Sequence, residues 1–160
     1  MRNYDFRPLT PDDLPLIRRW LGLPHVRVWW GDIDRNIALM TQDMDNPEIS
    51  LQVVMMSGRP FAYLHHHDVR TFSMSQFADL SYGTRAISTF VGDPEFLGPG
   101  YAAGYIGDCV NDLRLRYPMA AVAPNSTDAR QISIYAQAGF RKRRLASTRD
   151  GKLVQVMTHN

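Results

Sequence analysis

The chain has 160 residues, 44% hydrophobic and 21% charged, and its 18 basic and 16 acidic side chains leave a formal net charge of +2. This balance excludes a disordered chain, and the length predicts one domain, residues 1–160, able to bury about two-thirds of its unfolded surface. Two surplus charges on scattered Lys and Arg residues exclude a nucleic-acid footprint, and the single cysteine, Cys109, excludes intramolecular disulfides and a Cys-built zinc site.

In chain order, residues 4–9 read as a short strand. Thr10-Pro11-Asp12-Asp13 opens a helix, with Thr at the N-cap, Pro at N1 and acids facing the positive dipole end. Leu14, Ile17 and Leu21 carry its apolar face, and Gly22 ends it. A second helix is predicted over residues 24–30 and a third over about 32–45. Strands at 51–56 and 61–69 flank the turn Ser57-Gly58-Arg59-Pro60. Residues 68–82 show no period, which predicts a long loop that is functional or mobile. Thr84–Val91 reads as strand, and Gly92-Asp93-Pro94-Glu95 breaks it. After Phe96-Leu97-Gly98-Pro99-Gly100, an amphipathic helix is predicted to Tyr117, with Ile106, Cys109, Val110 and Leu113 inward. Cys109 is therefore expected to be core. A buried strand at 120–123 and a helix at about 127–138, closed by Gly139, come next. A final hairpin, 140–148 and 153–158, turns at Asp150-Gly151, a type I′ signal. Arg141, Lys142, Arg143 and Arg144 read as a solvated strand edge.

No internal repeat or linker is visible, and no apolar run approaches the ~18 residues of a membrane span. The opening MRNYDFRPLT lacks the apolar stretch of a signal peptide, and the cysteine usage fits a reducing compartment, so a cytoplasmic location is expected. The order of elements predicts an α/β chain, a mixed sheet with helices on its faces.

The most informative stretch is strand, glycine loop, helix. Gly98 and Gly100 let backbone amides approach a ligand, and the helix that follows presents unpaired N–H groups and a positive dipole end. That combination suits a pyrophosphate. Pro99 donates nothing and stiffens the loop. The competing reading is a loop that merely starts a helix. No Gly-Lys-Ser/Thr follows, which excludes a Walker loop, and the acid of a dinucleotide fingerprint is missing.

The second constellation is Pro124-Asn125-Ser126-Thr127-Asp128-Ala129-Arg130, leading to Tyr135-Ala136-Gln137-Ala138-Gly139-Phe140. With Leu97-Gly98-Pro99-Gly100-Tyr101-Ala102 about 30 residues earlier, the chain resembles the GNAT N-acetyltransferase superfamily. Arg7-Pro8-Leu9, Trp20-Leu21, His25-Val26 and Trp29-Trp30-Gly31 make it similar to the aminoglycoside 6′-N-acetyltransferase branch and its siderophore-acetylating relatives. The resemblance runs from about Phe6 to Met157. It implies a twisted mixed sheet of six or seven strands with helices on both faces, splayed between strand Thr84–Val91 and the strand at 120–123. It implies acetyl-CoA as co-substrate and no metal. The pantetheine then bonds the backbone of Thr89, Phe90 and Val91. The pyrophosphate meets Leu97, Gly98, Gly100 and the amides of Tyr101, Ala102 and Ala103. Leu97 replaces the usual Arg or Gln, and Asp128 stands where an Asn contacts the cofactor.

The resemblance makes Tyr135 the acid for the departing thiolate, since an unperturbed phenol near pKa ~10 is protonated at neutral pH. A helix Tyr packed on the core is the competing role. At the usual base position stands Ser88, which cannot take up a proton at neutral pH. Asp79, in the long loop, is the first substitute. His65 and His67, which share one strand face, are the others. The triplet His65-His66-His67 lacks an acid or Cys partner for a metal site and is expected to be structural or solvent-facing. Of Trp29 and Trp30, one is expected in the core and the other walling the acceptor pocket. Asp32, Asp34, Asp68 and Asp79 either make that pocket acidic or serve as caps and turn residues. The implied function is acetyl transfer to an aminoglycoside 6′-amine in a ternary complex, with a role in antibiotic resistance. The rivals are an N⁶-hydroxylysine or polyamine acetyltransferase and a CoA-binding module without catalysis. The expected partner is a small-molecule amine, with no nucleic acid or membrane, and the chain a monomer or homodimer.

Overall fold

The computed structural model describes residues 3–160. The elements run β1 (Asp5–Pro8), a 3₁₀ turn (Pro11–Asp13), α1 (Leu14–Leu21), α2 (Pro24–Trp30), α3 (Ile33–Asp43), β2 (Ile49–Met56), β3 (Arg59–Asp68) and a 3₁₀ turn (Ser75–Phe77). Then come β4 (Thr84–Val91), a 3₁₀ turn (Pro94–Phe96), α4 (Tyr101–Leu113), β5 (Met119–Val122), α5 (Ala129–Gln137), β6 (Arg141–Ser147) and β7 (Leu153–His159). The sheet has seven strands in the order β1-β2-β3-β4-β5-β7-β6. It is mixed: β4 and β5 are parallel, and the β1–β2, β5–β7 and β6–β7 pairs are antiparallel. The mixed sheet of six or seven strands expected from the sequence is thus seven-stranded. The β4–β5 ladder runs only from Thr84 opposite Met119 to Ala86 opposite Ala121, although β4 continues to Val91.

The chain forms two compact units. One comprises residues up to His66 together with Thr89–Pro99; the other comprises His67–Ser88 and Gly100–Asn160.

In the first unit, α1 buries Ile17, Trp20 and Leu21, spaced i, i+3, i+4, while Arg18 and Arg19 face water. These join Leu9, Val26, Met40, Ile49, Leu51, Val53, Tyr63 and Phe90 in one core. The start of α1 is fixed by Asp13, whose carboxylate accepts from the Thr10 N–H at 2.9 Å and pairs with Arg7 at 2.7 Å. Beyond β4, the Gly92 N–H donates to the Phe61 carbonyl at 2.8 Å. A Cβ at Gly92 would lie 2.0 Å from the Trp20 ring, so the indole's approach demands glycine there. Asp93 then caps the 3₁₀ turn at the Glu95 N–H (3.0 Å) and binds Arg59 at 2.7 Å. The two-residue turn with both residues left-handed is Ser57-Gly58 (φ 51° and 78°), which joins β2 to β3.

In the second unit, α4 buries Tyr105, Ile106, Cys109, Val110 and Leu113. Burial pushes the Cys109 thiol up to about 12, so it is core, as its place on the helix stripe predicts. Two expectations are corrected here. The helix ends at Leu113, not Tyr117. Tyr117 precedes Pro118, which disfavours helical backbone, and its N–H closes the last turn on the Leu113 carbonyl at 2.8 Å. The β6–β7 turn is not type I′, because Gly151 is left-handed (φ 84°) and Asp150 is not. Asp150 instead takes the Thr148 hydroxyl, and a wider loop closes where the Thr148 N–H meets the Lys152 carbonyl at 2.8 Å. The segment at 68–82 is a long connection, as expected, with one 3₁₀ turn, and it is tied down at both ends. Phe77 and Leu80 are buried against Val69, Ala86, Ala121, Val154 and Val156, and the Asp68 carboxylate binds the N–H groups of Arg70 (2.8 Å) and Gly83 (2.9 Å).

Candidate active site

The second unit holds the start of α4 and the whole of α5. Gly100 is the N-cap of α4 with φ 91° and ψ −20°, a left-handed conformation that any side chain would strain. The ladder begins where the Gly104 N–H meets the Gly100 carbonyl at 3.0 Å, so the N–H groups of Tyr101, Ala102 and Ala103 precede it and point out of the helix end. The first turn contains no acid to compete for those donors.

On α5, Asp128 is the N-cap, and its carboxylate accepts the Gln131 N–H at 3.1 Å. The sequence placed Asp128 among cofactor contacts; in the structure its side chain is engaged by the helix it starts. Tyr135 is buried, with its ring edge-on to Phe140 at 5.5 Å. Burial, aided by the charge of Asp128, pushes its phenol up to about 12, against a lowering hydrogen bond to Gln131. Tyr135 is therefore both packed in the core and firmly protonated at neutral pH.

Asp79 is exposed and paired with Arg144 through both guanidinium Nη2 and Nε, the latter at 3.2 Å. The Arg144 hydrogen bonds hold the carboxyl below the usual carboxylate range, which makes Asp79 a weaker base. Arg144 also donates to the Gln76 carbonyl at 2.9 Å, so it departs from the solvated edge formed by Arg141, Lys142 and Arg143. Ser88 is half-buried on β4. His67 is buried, donates Nδ1–H to the Asp68 carbonyl at 2.9 Å and sets its ring edge against Phe72.

The first unit holds an aromatic cluster. Trp30 packs edge-on to Phe90 (4.9 Å), Tyr63 (6.0 Å) and His65 (6.2 Å), whereas Trp29 is 41% exposed. Trp30 is thus the core tryptophan of the pair. Tyr63 has no exposed surface, and its hydroxyl lies 2.7 Å from His65 Nδ1. Burial, aided by the charge of Asp43, keeps the phenol well above its ordinary pKa, so the proton stays on oxygen. At the end of β4, the Thr89 hydroxyl donates to the Tyr63 carbonyl at 2.6 Å, and His25 Nε2 donates to the Val91 carbonyl at 2.9 Å. Leu97 ends the 3₁₀ turn, and a Cβ at Gly98 would meet nothing within 4 Å, so no packing of this chain requires that glycine.

Three contributors escaped sequence reasoning: Tyr63, His25 and Arg144. Tyr63 was legible in principle, two residues from His65 on the same strand face. His25 and Arg144 act across long stretches of chain and left no local signal. Among the described residues, no group of three or more His, Cys, Asp or Glu could hold a metal ion, and no helix is long and apolar enough to cross a membrane.

Residues 10–148 match the family model described as an acetyltransferase (GNAT) domain. An aminoglycoside N(6′)-acetyltransferase type 1 of Klebsiella pneumoniae is 24% identical over 94% of this chain and 80% of its own length. The fold is shared with the aminoglycoside acetyltransferase AAC(6′)-Ib, solved with coenzyme A and kanamycin. That likeness has a TM-score of 0.86 and 20% identity over 99% of this chain and 95% of the other. It is shared too with a spermidine N-acetyltransferase of Vibrio cholerae solved with CoA and spermine, at TM-score 0.73 and 13% identity over 97% and 94% of the two chains. With its glycine-capped α4 and its match over most of its length, the chain belongs to the GNAT acetyltransferase family.

Proposed function

We propose that the chain transfers the acetyl group of acetyl-CoA directly to a primary amine of a small molecule, in a ternary complex. The observation that carries this reading is the left-handed Gly100 before an acid-free α4 start, in a chain of this family. Acetyl-CoA supplies the activated acyl group; the fit rests on backbone donors. The amides of Tyr101, Ala102 and Ala103 bind the pyrophosphate with the dipole of α4 behind them. Gly98 leaves open space for that approach. The backbone of Thr89, Phe90 and Val91 holds the pantetheine, with the Val91 carbonyl already engaged by His25.

Tyr135 acts at its Oη. A phenol at about 12 holds its proton more tightly than a thiol of ordinary pKa near ~8.5, so it stabilises the departing thiolate mainly by donating a hydrogen bond. Ser88 cannot take up a proton at neutral pH, and Asp79 is held by Arg144. With these two set aside, the amine loses its proton to water or to the imidazole of His65 or His67, and the rate rises with pH until the amine is free.

The curated relatives point to an aminoglycoside 6′-amine as acceptor. One observation favours the second reading, an acceptor of the N⁶-hydroxylysine type rather than a polycation. The acids assigned to attract positive charge are engaged: Asp32 caps α3 at the Arg35 N–H, Asp34 pairs with Arg18, Asp68 binds backbone, and Asp79 pairs with Arg144. The test is acetylation of a panel of aminoglycosides, polyamines and N⁶-hydroxylysine, read by free thiol and by mass. The reading expects one acetyl per thiol released with at least one amine class. Tight CoA binding without turnover across the panel would leave only a CoA-binding module.

A further inference from the structure

We propose that the second unit carries a binding site for a small oxyanion, a carboxylate or phosphate, in the pocket between the β3–β4 segment and the β6–β7 turn. The pocket has a volume of about 350 Å³, within the range of small-molecule sites. Arg70 and Arg149 line it with the hydroxyls of Ser73 and Ser75 and the rings of Phe72 and Phe77; no Asp or Glu does. Two guanidinium groups and the Ser73 hydroxyl, beside an apolar wall, form the donor set that planar or tetrahedral oxyanions require.

Neither arginine forms an ion pair with a neighbouring acid among the described residues. Asp68 is engaged by the N–H groups of Arg70 and Gly83, Asp79 by Arg144, and Asp150 by the Thr148 hydroxyl. Arg70 is anchored by one nitrogen, Nη2, on the Leu80 carbonyl at 3.1 Å, which leaves Nη1 and Nε to donate and lowers the entropic cost of binding. Arg149 has no protein partner among the described residues. The Ser75 hydroxyl donates to the Ser147 carbonyl at 3.0 Å and ties the segment to β6. No residue of α4 lines the pocket, and anion binding there does not depend on the transferase reading.

Calorimetric titration of the intact chain with inorganic phosphate and with succinate, at low ionic strength, tests it. Saturable binding below about 10 mM is expected for at least one of them. Arg149→Gln and Arg70→Gln should each weaken it roughly tenfold or more, and Lys142→Gln on exposed β6 should leave it within about twofold. Melting curves of the variants check that they fold. The source of the anion is read from kinetics with lysine and 1,5-diaminopentane, which differ by a carboxylate. If the site holds an acceptor's carboxylate, Arg149→Gln raises KM for lysine alone. If it holds a separate phosphate, phosphate binds and neither KM moves. The absence of saturable binding of both anions to the wild type, or equal binding by Arg149→Gln, would overturn the proposal.

Discussion

The start of α4 and the β3–β4 segment lie in the same unit and work by different means. At α4 the ligand-facing groups are backbone amides, set by one left-handed glycine and the helix that follows it. In the β3–β4 segment they are side chains whose roles depend on partners far away, as when Arg144 takes the Asp79 carboxylate across 65 residues. Backbone sites are robust to side-chain exchange and sensitive to backbone strain. Side-chain sites change character with a single partner, and a carboxylate that looks like a base becomes half of an ion pair.

Breaking the backbone site should have the largest effect. Gly100→Val forces a β-branched residue into the left-handed region and displaces the donors; CoA affinity should fall roughly 100-fold by calorimetry. Gly98→Ala sharpens the point, because its Cβ meets open space: its melting temperature should hold while CoA binding weakens. Unchanged affinity in both variants would make the loop purely structural. Next in size is Gly92→Ala. A methyl inside the Trp20 ring position should cost about 1–3 kcal/mol of unfolding free energy, read by denaturant titration. Wild-type stability there would mean that the indole is free to move.

The side-chain region predicts smaller effects. Asp79→Asn should leave thiol release at neutral pH within about threefold, since its carboxylate is already held by Arg144. A loss of ~10²-fold that recovers at high pH would restore Asp79 as the base. Smallest is the acid limb of stability. Asp13 is depressed chiefly by its hydrogen bond to Arg7, so it contributes stability above its unfolded pKa near ~3.9 and loses it as pH falls through the lower folded value. Arg7 is 38% exposed, so Asp13→Asn should cost only about 1 kcal/mol at neutral pH, converging with wild type at low pH. A constant difference across that range would show that the pair is not what titrates.

The contrast also explains what the sequence made legible. Gly100 before α4, Asp128 before α5 and the buried stripe of Ile106, Cys109 and Val110 are local patterns, and each appears where spacing puts it. Pro118 shortens α4, a local signal that the apolar stripe of the helix does not carry. The width of the Asp150-Gly151 turn depends on the Thr148 hydroxyl, which dipeptide preference does not weigh. The exit of β4 depends on Trp20 and His25, and the state of Asp79 on Arg144. These are tertiary facts, and no window of sequence contains them.

The central claim is that a protonated phenol at Tyr135 assists departure of the thiolate. The most direct measurement is thiol release at saturating acetyl-CoA and acceptor, comparing wild type with Tyr135→Phe, which keeps the ring against Phe140 and removes only the hydroxyl. The account predicts a fall in kcat of about 10²–10³-fold with CoA binding retained. A Tyr135→Phe enzyme that turns over at the wild-type rate would contradict it and return Tyr135 to the core.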